Sequence, residues 1–424
     1  MNFLKVLRER HLALLWSSQV LSAIGDYCYS IAVIWIAVQV AGSAAGVVAA
    51  AQTGAALLFG LLGGVYADRW NRRATMIAVD LARAGVVGML PALALTHTLA
   101  LWHLLLVAVI VGSLGALFNP ALQASLPALS GDTRTLQATN GLMDATRRLA
   151  RVLGPGLVGI LATFLPLAHF FTLDALSFAI SALALYSLGR HFAWKPAPQA
   201  DQRRGIRGIA GDLAGATRLA RKHGPIAWML ATNWLIALAW SAAFVVGVPL
   251  LADRALGGSV TVYGLMVGAY GVGNVLSNLV IGSVTIQRRV LVMLLGRLIV
   301  AGGFVLMVSV PVLPVALLGS ALAATGGPMA DIPLLVMIQT DLPSNQIGKV
   351  SSLEMTLESG GSTLGLLLAI PLFRYLSSAA GIIICSLVIA LPSIGGLARF
   401  GFEEPTIRPA ERETAPLPAK PEAS

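Results

Sequence analysis

Apolar runs of roughly 20 to 29 residues recur twelve times along the chain, at about 12–40, 45–67, 74–96, 99–127, 136–163, 167–189, 226–252, 260–284, 290–310, 312–340, 347–375 and 378–400. Each is long enough to cross about 30 Å of hydrocarbon as an α-helix. This recurrence restricts the fold more than any other feature, because a backbone in lipid must satisfy its own hydrogen bonds. Composition agrees: 57% of the 424 residues are hydrophobic and 11% are charged, too little polar surface for a soluble globule. The sequence therefore predicts an all-α membrane protein with twelve transmembrane helices.

Most gaps between the runs hold a handful of residues, so consecutive helices must lie antiparallel and side by side. Residues 190–225 are the exception. They carry Arg190, Lys195, Arg203, Arg204, Arg207, Arg218, Arg221 and Lys222 and divide the runs into six and six. The expected organisation is a first six-helix bundle over 1–189, a basic cytoplasmic linker over 190–225, a second six-helix bundle over 226–400 and a tail over 401–424. Within the linker, 194–205 is polar and contains proline. Over 206–223, Ile206, Ile209, Leu213, Ala216 and Leu219 alternate with arginines as in an amphipathic helix lying on a membrane. The tail has the Pro/Glu/Ala bias of a disordered segment.

Basic residues set the orientation. With both termini cytoplasmic, about 22 of the 29 Lys and Arg fall in cytoplasmic segments, and only Arg254 and Arg374 fall at the outer surface. The net charge of +10 thus reads as topology, with no nucleic-acid partner implied. Lys5, Arg8 and Arg10 precede a span too long for a signal-peptide core, so the first helix is expected to act as its own anchor. Cys28 and Cys385 lie inside spans and suggest neither a disulfide framework nor a metal site. The high Arg-to-Lys ratio and the Ala, Leu and Gly content fit a bacterium of high GC content, which makes the cytoplasmic membrane the expected address.

Charge inside the apolar runs is informative, since each ionised group costs roughly 2.5 to 3.5 kcal/mol at mid-bilayer and must face protein or water. Asp26 stands at the centre of the first run with no basic neighbour in its own helix. A carboxylate withdrawn from water can exchange a proton near neutral pH, as a proton-coupled carrier requires. Glu354 and Glu358 lie one turn apart, so their protonations are coupled if they stay unpaired, or they bind a cationic substrate. Asp331 follows Gly326, Gly327 and Pro328, a segment expected to be irregular and to line a cavity. These four acids are the candidate proton carriers. Asp80 and Arg83 read as a self-satisfying pair, and Asp174 reads as structural. Trp234, Trp240, Asn274 and Asn278 are weaker candidates for a substrate cavity; interfacial anchoring and helix stitching account for them equally well.

The densest charge between spans is GGVYADRWNRR, from Gly63 to Arg73. Gly64 allows close helix approach, Asp68 accepts hydrogen bonds at the membrane edge, and Arg69, Arg72 and Arg73 can pair with acids or helix C-termini. Such a cluster suits a cytoplasmic gate that holds in one conformation and releases in another. A merely topological role for the arginines needs neither Asp68 nor fixed spacing. In the second half, GSVTIQRRV keeps Gly282, Arg288 and Arg289 without an Asp-Arg pair, so an asymmetric gate is expected.

Gly64, Asp68, Arg69, Arg72 and Arg73 resemble the G-x-x-x-D-R-x-x-R-R loop of the major facilitator superfamily. The segments LWSSQVLSAIGDYCYSIAVIWIAVQVAGS, FNPALQASLPAL and ATNGLMDATRRLARVLGPGLVG are similar to its drug:proton antiporter branch, which includes macrolide and enterobactin exporters. The resemblance implies the major facilitator fold and export driven by a proton gradient, with no other cofactor. It also implies that Asp144, one turn before Arg148, joins the loop's arginines in the gate. Gly154, Pro155 and Gly159 resemble the core of the antiporter glycine-proline motif, where a bend is expected. Ala150 and Val158 depart from that pattern.

The reading is a monomeric, multi-pass, proton-coupled exporter of a small amphipathic molecule, drug or siderophore-like, working by alternating access. A carrier of the same superfamily that flips lysophospholipid is the alternative, since LSAIGD and NGLMDA suit it too. The chain lacks a G-x-x-x-x-G-K-[ST] loop and the motifs of intramembrane proteases, which sets enzymatic readings aside.

Overall fold

The computed structural model describes residues 6–400 apart from 67–70, 131, 163, 190–214, 216, 220, 222, 285 and 343. For 61–66, 133, 147–148, 151–153, 155–157, 159–160 and 344–345 it describes only the backbone. The expected linker, most of its amphipathic segment, the tail, and Asp68 and Arg69 lie outside the described residues.

The long helices are α1 (Arg10–Ala41), α2 (Ala45–Tyr66), α3 (Arg72–Leu95), α4 (Leu101–Ser130), α5 (Thr133–Leu161) and α6 (Ala168–Ser187). They continue with α7 (Gly224–Ala255), α8 (Val260–Ser283), α9 (Arg289–Ser309), α10 (Leu313–Asp341), α11 (Ser344–Tyr375) and α12 (Ser378–Phe400). Local chemistry fixes several starts. Asn71 caps α3 by accepting from the Ala74 amide at 3.2 Å, and Ser259 caps α8 by accepting from Thr261 at 3.2 Å. Asp132 takes the Thr135 amide at 2.8 Å and its hydroxyl at 2.7 Å at the head of α5. Inside α7, residues Ala242–Gly247 widen to a π-helical turn just before Pro249, whose missing N–H removes a regular bond.

Ten helical stretches among the described residues are long and apolar enough to cross a membrane. Two features separate this number from the twelve runs in the sequence. α1 and α2 form one helical stretch through Gly60, broken only by a tight 3₁₀ turn at Gly42–Ala44 where Gly42 takes φ +56°. The α5 helix carries Arg134, Asp144, Arg147, Arg148 and Arg151 and is too polar along its first half to qualify on composition.

The packing repeats. In the first half α1 lies against α5 and α6, α2 against α4, and α3 against α4 and α6. In the second half α7 lies against α11 and α12, α8 against α10, and α9 against α10 and α12, the same scheme six helices on. The halves meet along α2–α11 and α5–α8. Glycine sets the closest approaches. At Gly296, Gly303, Gly319 and Gly326, a seven-residue step on each helix, any Cβ would strike backbone across the α9–α10 contact. Gly326 and Pro328 thus sit in an unbroken helix, and the irregular segment expected there is absent because the glycines serve packing.

Candidate functional site

Short links place the α1–α2, α3–α4, α5–α6, α7–α8, α9–α10 and α11–α12 connections at one end of the molecule. The arginine-bearing links, with Arg72, Arg134 and Arg288, lie at the other. At the first end a single buried cluster runs through both halves, from Trp35, Val38 and Phe171 to Leu251, Tyr263 and Phe373. Trp35 of α1 stacks on Tyr263 of α8 across the boundary, with ring centroids 5.8 Å apart and planes 16° apart. Gly46 of α2 comes so close to the Leu366 carbonyl of α11 that a Cβ there would overlap it. At the arginine-bearing end the buried clusters separate: one around Leu12, Met76, Phe118 and Leu185 belongs to the first half, the other around Met229, Leu294, Ile338 and Leu353 to the second. Among the described residues, the halves are sealed at one end and have distinct cores at the other.

Charged clusters occupy the middle of each half. In the first, Asp26 lies on α1 about 24 Å from the start of its helix by rise alone, and it is exposed. Asp174 of α6 is fully buried and Asp80 and Arg83 of α3 nearly so, and all are within electrostatic reach of Asp26 or of one another. Gly25 turns its bare Cα to Ser177 and the Asp174 carboxylate, so these α6 side chains pack directly on the α1 backbone. The expected Asp80–Arg83 pair is not formed. Arg83 Nη2 donates to the Val111 carbonyl of α4 at 3.3 Å, and the guanidinium lies 5.2 Å from the Phe178 ring and 5.9 Å from that of Phe118. Asp80 instead meets the Ser181 hydroxyl, while among the described residues its Oδ2 and Arg83 Nε have no hydrogen-bond partner. The reason is geometric: Gly115 leaves room beside α4 into which the guanidinium swings.

The second half has its own buried arginine. Arg297 of α9 donates from Nη1 to Thr232 Oγ1 at 2.7 Å, and from Nη2 to the Met229 carbonyl at 3.3 Å and to Asn233 Oδ1 at 3.4 Å. Asp331 of α10 and Glu354 of α11 are its electrostatic neighbours, and Glu358 is a neighbour of Glu354. The structure therefore groups the four predicted acids as Asp26 in one half and Asp331, Glu354 and Glu358 in the other.

The amides Asn274 and Asn278 share a face as expected, and Asn278 Nδ2 donates to the Asn274 side-chain oxygen at 3.0 Å. Trp240 is engaged elsewhere: its Nε1 donates to Tyr270 Oη at 3.0 Å and its ring stacks at 5.1 Å on Phe244, which lies in the π-helical part of α7. Trp234 is 39% exposed, and its carbonyl is approached by Gly361 of α11. No sequence signal pointed to Trp35, Tyr263 or Tyr270, since aromatic residues in apolar runs look alike until packing is known.

Of the gate residues, Arg72 and Arg73 are fully described. Arg72 Nη1 donates to the Ala124 carbonyl of α4 at 2.6 Å. Arg73 donates from Nε to Leu185 at 3.0 Å and from Nη2 to Tyr186, capping the last turn of α6, and lies 5.5 Å over the Tyr186 ring. In the second half Arg289 reaches Thr340 Oγ1 at 3.0 Å and Asp341 at 3.7 Å, at the end of α10. Asp144 is half-buried on α5, whereas Asp68, Arg69 and the side chain of Arg148 lie outside the described residues. The helix around Gly64 and around Gly154, Pro155 and Gly159 is continuous, and Gly154 abuts the Tyr27 ring of α1.

A repeated helical scaffold, apolar around its outside, with a buried arginine and acids in each half, defines a multi-pass membrane transporter. The chain belongs to the Major Facilitator Superfamily, whose sequence pattern it matches over residues 15–366. It is 29% identical over 372 residues to the multidrug efflux pump Tap of Mycolicibacterium fortuitum, covering 85% of this chain and 87% of that one. It is 27% identical over 401 residues to the Tap pump of Mycobacterium tuberculosis H37Rv, covering 88% of each. Among solved structures, it is similar in fold to an auto-inhibited POT family peptide transporter, with TM-score 0.71, 13% identity, 95% of this chain and 99% of the other. The nucleoside transporter NupG gives TM-score 0.71, 12% identity, 93% and 100%.

Proposed function

We propose that the protein exports small amphipathic compounds, drug or siderophore-like, from a bacterial cytoplasm by alternating access, driven by proton entry. The observation that carries this reading is the asymmetry of the core: one end sealed across both halves, separate cores at the arginine-bearing end, and an exposed Asp26 half-way between. A protonatable acid placed between a sealed end and an end where the halves have separate cores suits an antiporter. Similarity to pumps named for multidrug efflux supports the outward direction.

The proposed topology has twelve crossings in two six-helix bundles, 1–189 and 226–400, with both termini cytoplasmic. Arg10–Gly60, 51 residues, is about 77 Å of helix, more than twice the thickness of the hydrocarbon, so it accounts for two crossings. α5 is packed between α1 and α8 despite its charges, and it supplies the twelfth. The bias of Lys and Arg toward one set of links gives the orientation. Asp26, Asp331, Glu354 and Glu358 are the proton-coupling groups in this reading, and Arg72, Arg73 and Asp144 belong to the cytoplasmic gate with Gly64, Asp68, Arg69 and Arg148. The carrier acts as a monomer without a bound cofactor.

The test is uptake into everted membrane vesicles of fluorescent amphipathic cations, macrolides and ferric-chelator ligands, with and without a proton gradient, for the native protein and for Asp26→Asn. Accumulation that needs the gradient and is lost in the variant is expected. Accumulation that is independent of the gradient, or movement of spin-labelled lysolipid alone, overturns proton-driven export and in the second case favours lipid flipping.

A further inference from the structure

We propose that Asp174 is a second, sealed proton-binding carboxyl, facing Asp26 across the α1–α6 contact and sharing Arg83 with it as counter-ion. The charges around it do not balance. The groups facing Asp174 are Asp26, Cys28 and Tyr29 from α1, Asp80 and Arg83 from α3, and Ser177 from its own helix. Three carboxylates thus stand against one guanidinium, and that guanidinium is turned toward the Val111 carbonyl and two aromatic rings. A buried carboxylate needs a partner for each oxygen. Asp174 is 0% exposed, and among the described residues its Oδ1 has the Ser177 hydroxyl at 3.5 Å and its Oδ2 no hydrogen-bond partner.

Three further orphans surround it: Tyr29 Oη, Asp80 Oδ2 and Arg83 Nε. Of these, Arg83 Nε can only donate, Tyr29 Oη can donate or accept, and Asp80 Oδ2 can only accept, so a hydroxyl on Asp174 has acceptors in this group as well as donors. Among the described residues no group of three or more acids, histidines or cysteines is placed to hold a metal ion, whereas a proton on one carboxyl lowers the excess negative charge of the cluster by one. Gly25 keeps the cluster tight, since any Cβ there would strike Ser177 and the Asp174 carboxylate. Asp26 is exposed and Asp174 is not, so the two acids differ in access: Asp26 exchanges with the open side and Asp174 only through rearrangement of α1 against α6.

The part this proton plays in transport rests on the proton-coupled reading; its presence does not. Infrared difference spectroscopy of the full chain in lipid reads it directly, through the carbonyl stretch of a protonated carboxylic acid. At neutral pH the native protein should show such a band, slow to shift in heavy water. Asp174→Asn should remove it and Asp26→Asn should leave it. Asp174→Glu, which keeps the acid if the amide variant fails to fold, should move the band, and Ser177→Ala should move it by removing the hydroxyl. No band in the native protein, or one indifferent to Asp174→Asn and Asp174→Glu, overturns the proposal. A band that behaves as described in a protein that moves no compound with a gradient keeps the site and ends the coupling reading.

Discussion

Trp35 and Tyr263 stack face to face at 5.8 Å, one from each half, at the sealed end of the molecule. Both rings are almost wholly removed from solvent, at 1% and 6% exposure. An aromatic pair of this kind contributes about 0.5 to 1.5 kcal/mol beyond its buried area. In a carrier whose two states differ by a few kcal/mol, that is enough to bias the population.

Trp35→Ala and Tyr263→Ala should therefore each shift the balance toward opening at this end, by about 2- to 12-fold from the stacking contribution alone. Spin-label distances between the α1–α2 and α7–α8 links report the shift. An unchanged distance distribution in both variants rules out the pair as a seal.

Much of the scaffold was legible in the sequence because apolar length is a direct consequence of bilayer thickness. Helices α3, α8 and α12 begin and end within a few residues of the runs that predicted them. The runs 12–40 and 45–67 part at the Gly42–Ala44 turn, and the run 136–163 falls on α5, although its charges keep that helix below an apolar threshold on composition. Arg83 was placed in the right helix but with the wrong partner. Spacing of i,i+3 puts Asp80 on the same face, yet the cavity left by Gly115 on another helix decided where the guanidinium went. Side-chain choices made by neighbours distant in sequence are what a single chain conceals.

Glycine at the α9–α10 contact offers a controlled comparison. A Cβ on Gly326 would strike the Gly296 carbonyl and Val300, whereas one on Gly302, a few residues along α9, meets nothing within 4 Å. Gly326→Ala should cost roughly 1 to 3 kcal/mol through overpacking. Gly302→Ala should be neutral or stabilise by up to about 1 kcal/mol through helix propensity. Thermal unfolding in detergent distinguishes them, and equal midpoints would rule out close packing as the reason for the glycines.

Arg297 holds Thr232, Asn233 and the Met229 carbonyl of α7 from α9, beside Asp331 and Glu354. Arg297→Met removes the buried cation of the second half and its hydrogen bonds to α7, at a cost of about 1.5 to 3 kcal/mol. Arg297→Lys keeps the charge but cannot supply both Nη donors, so it should fall between the two. Folded yield and unfolding midpoint should rank native, Lys, Met. A Lys variant no better than Met would mean that the hydrogen-bond fork and not the charge holds this site.

The two arginine-bearing ends are held differently. Arg73 caps backbone carbonyls of Leu185 and Tyr186 and lies over the Tyr186 ring, whereas Arg289 reaches an exposed Thr340 and an Asp341 side chain that is 42% accessible. Exposed ion pairs contribute about 0 to 1 kcal/mol and weaken with salt, while a cation on a helix C-terminus adds hydrogen bonds to carbonyls of the last turn. Arg73→Gln should lower the unfolding midpoint more than Arg289→Gln does. Raising the salt concentration should erase most of the Arg289 effect and little of the Arg73 effect. If both variants respond to salt alike, the capping geometry at α6 is not what distinguishes the first half from the second, and the asymmetry between the two links rests on charge alone.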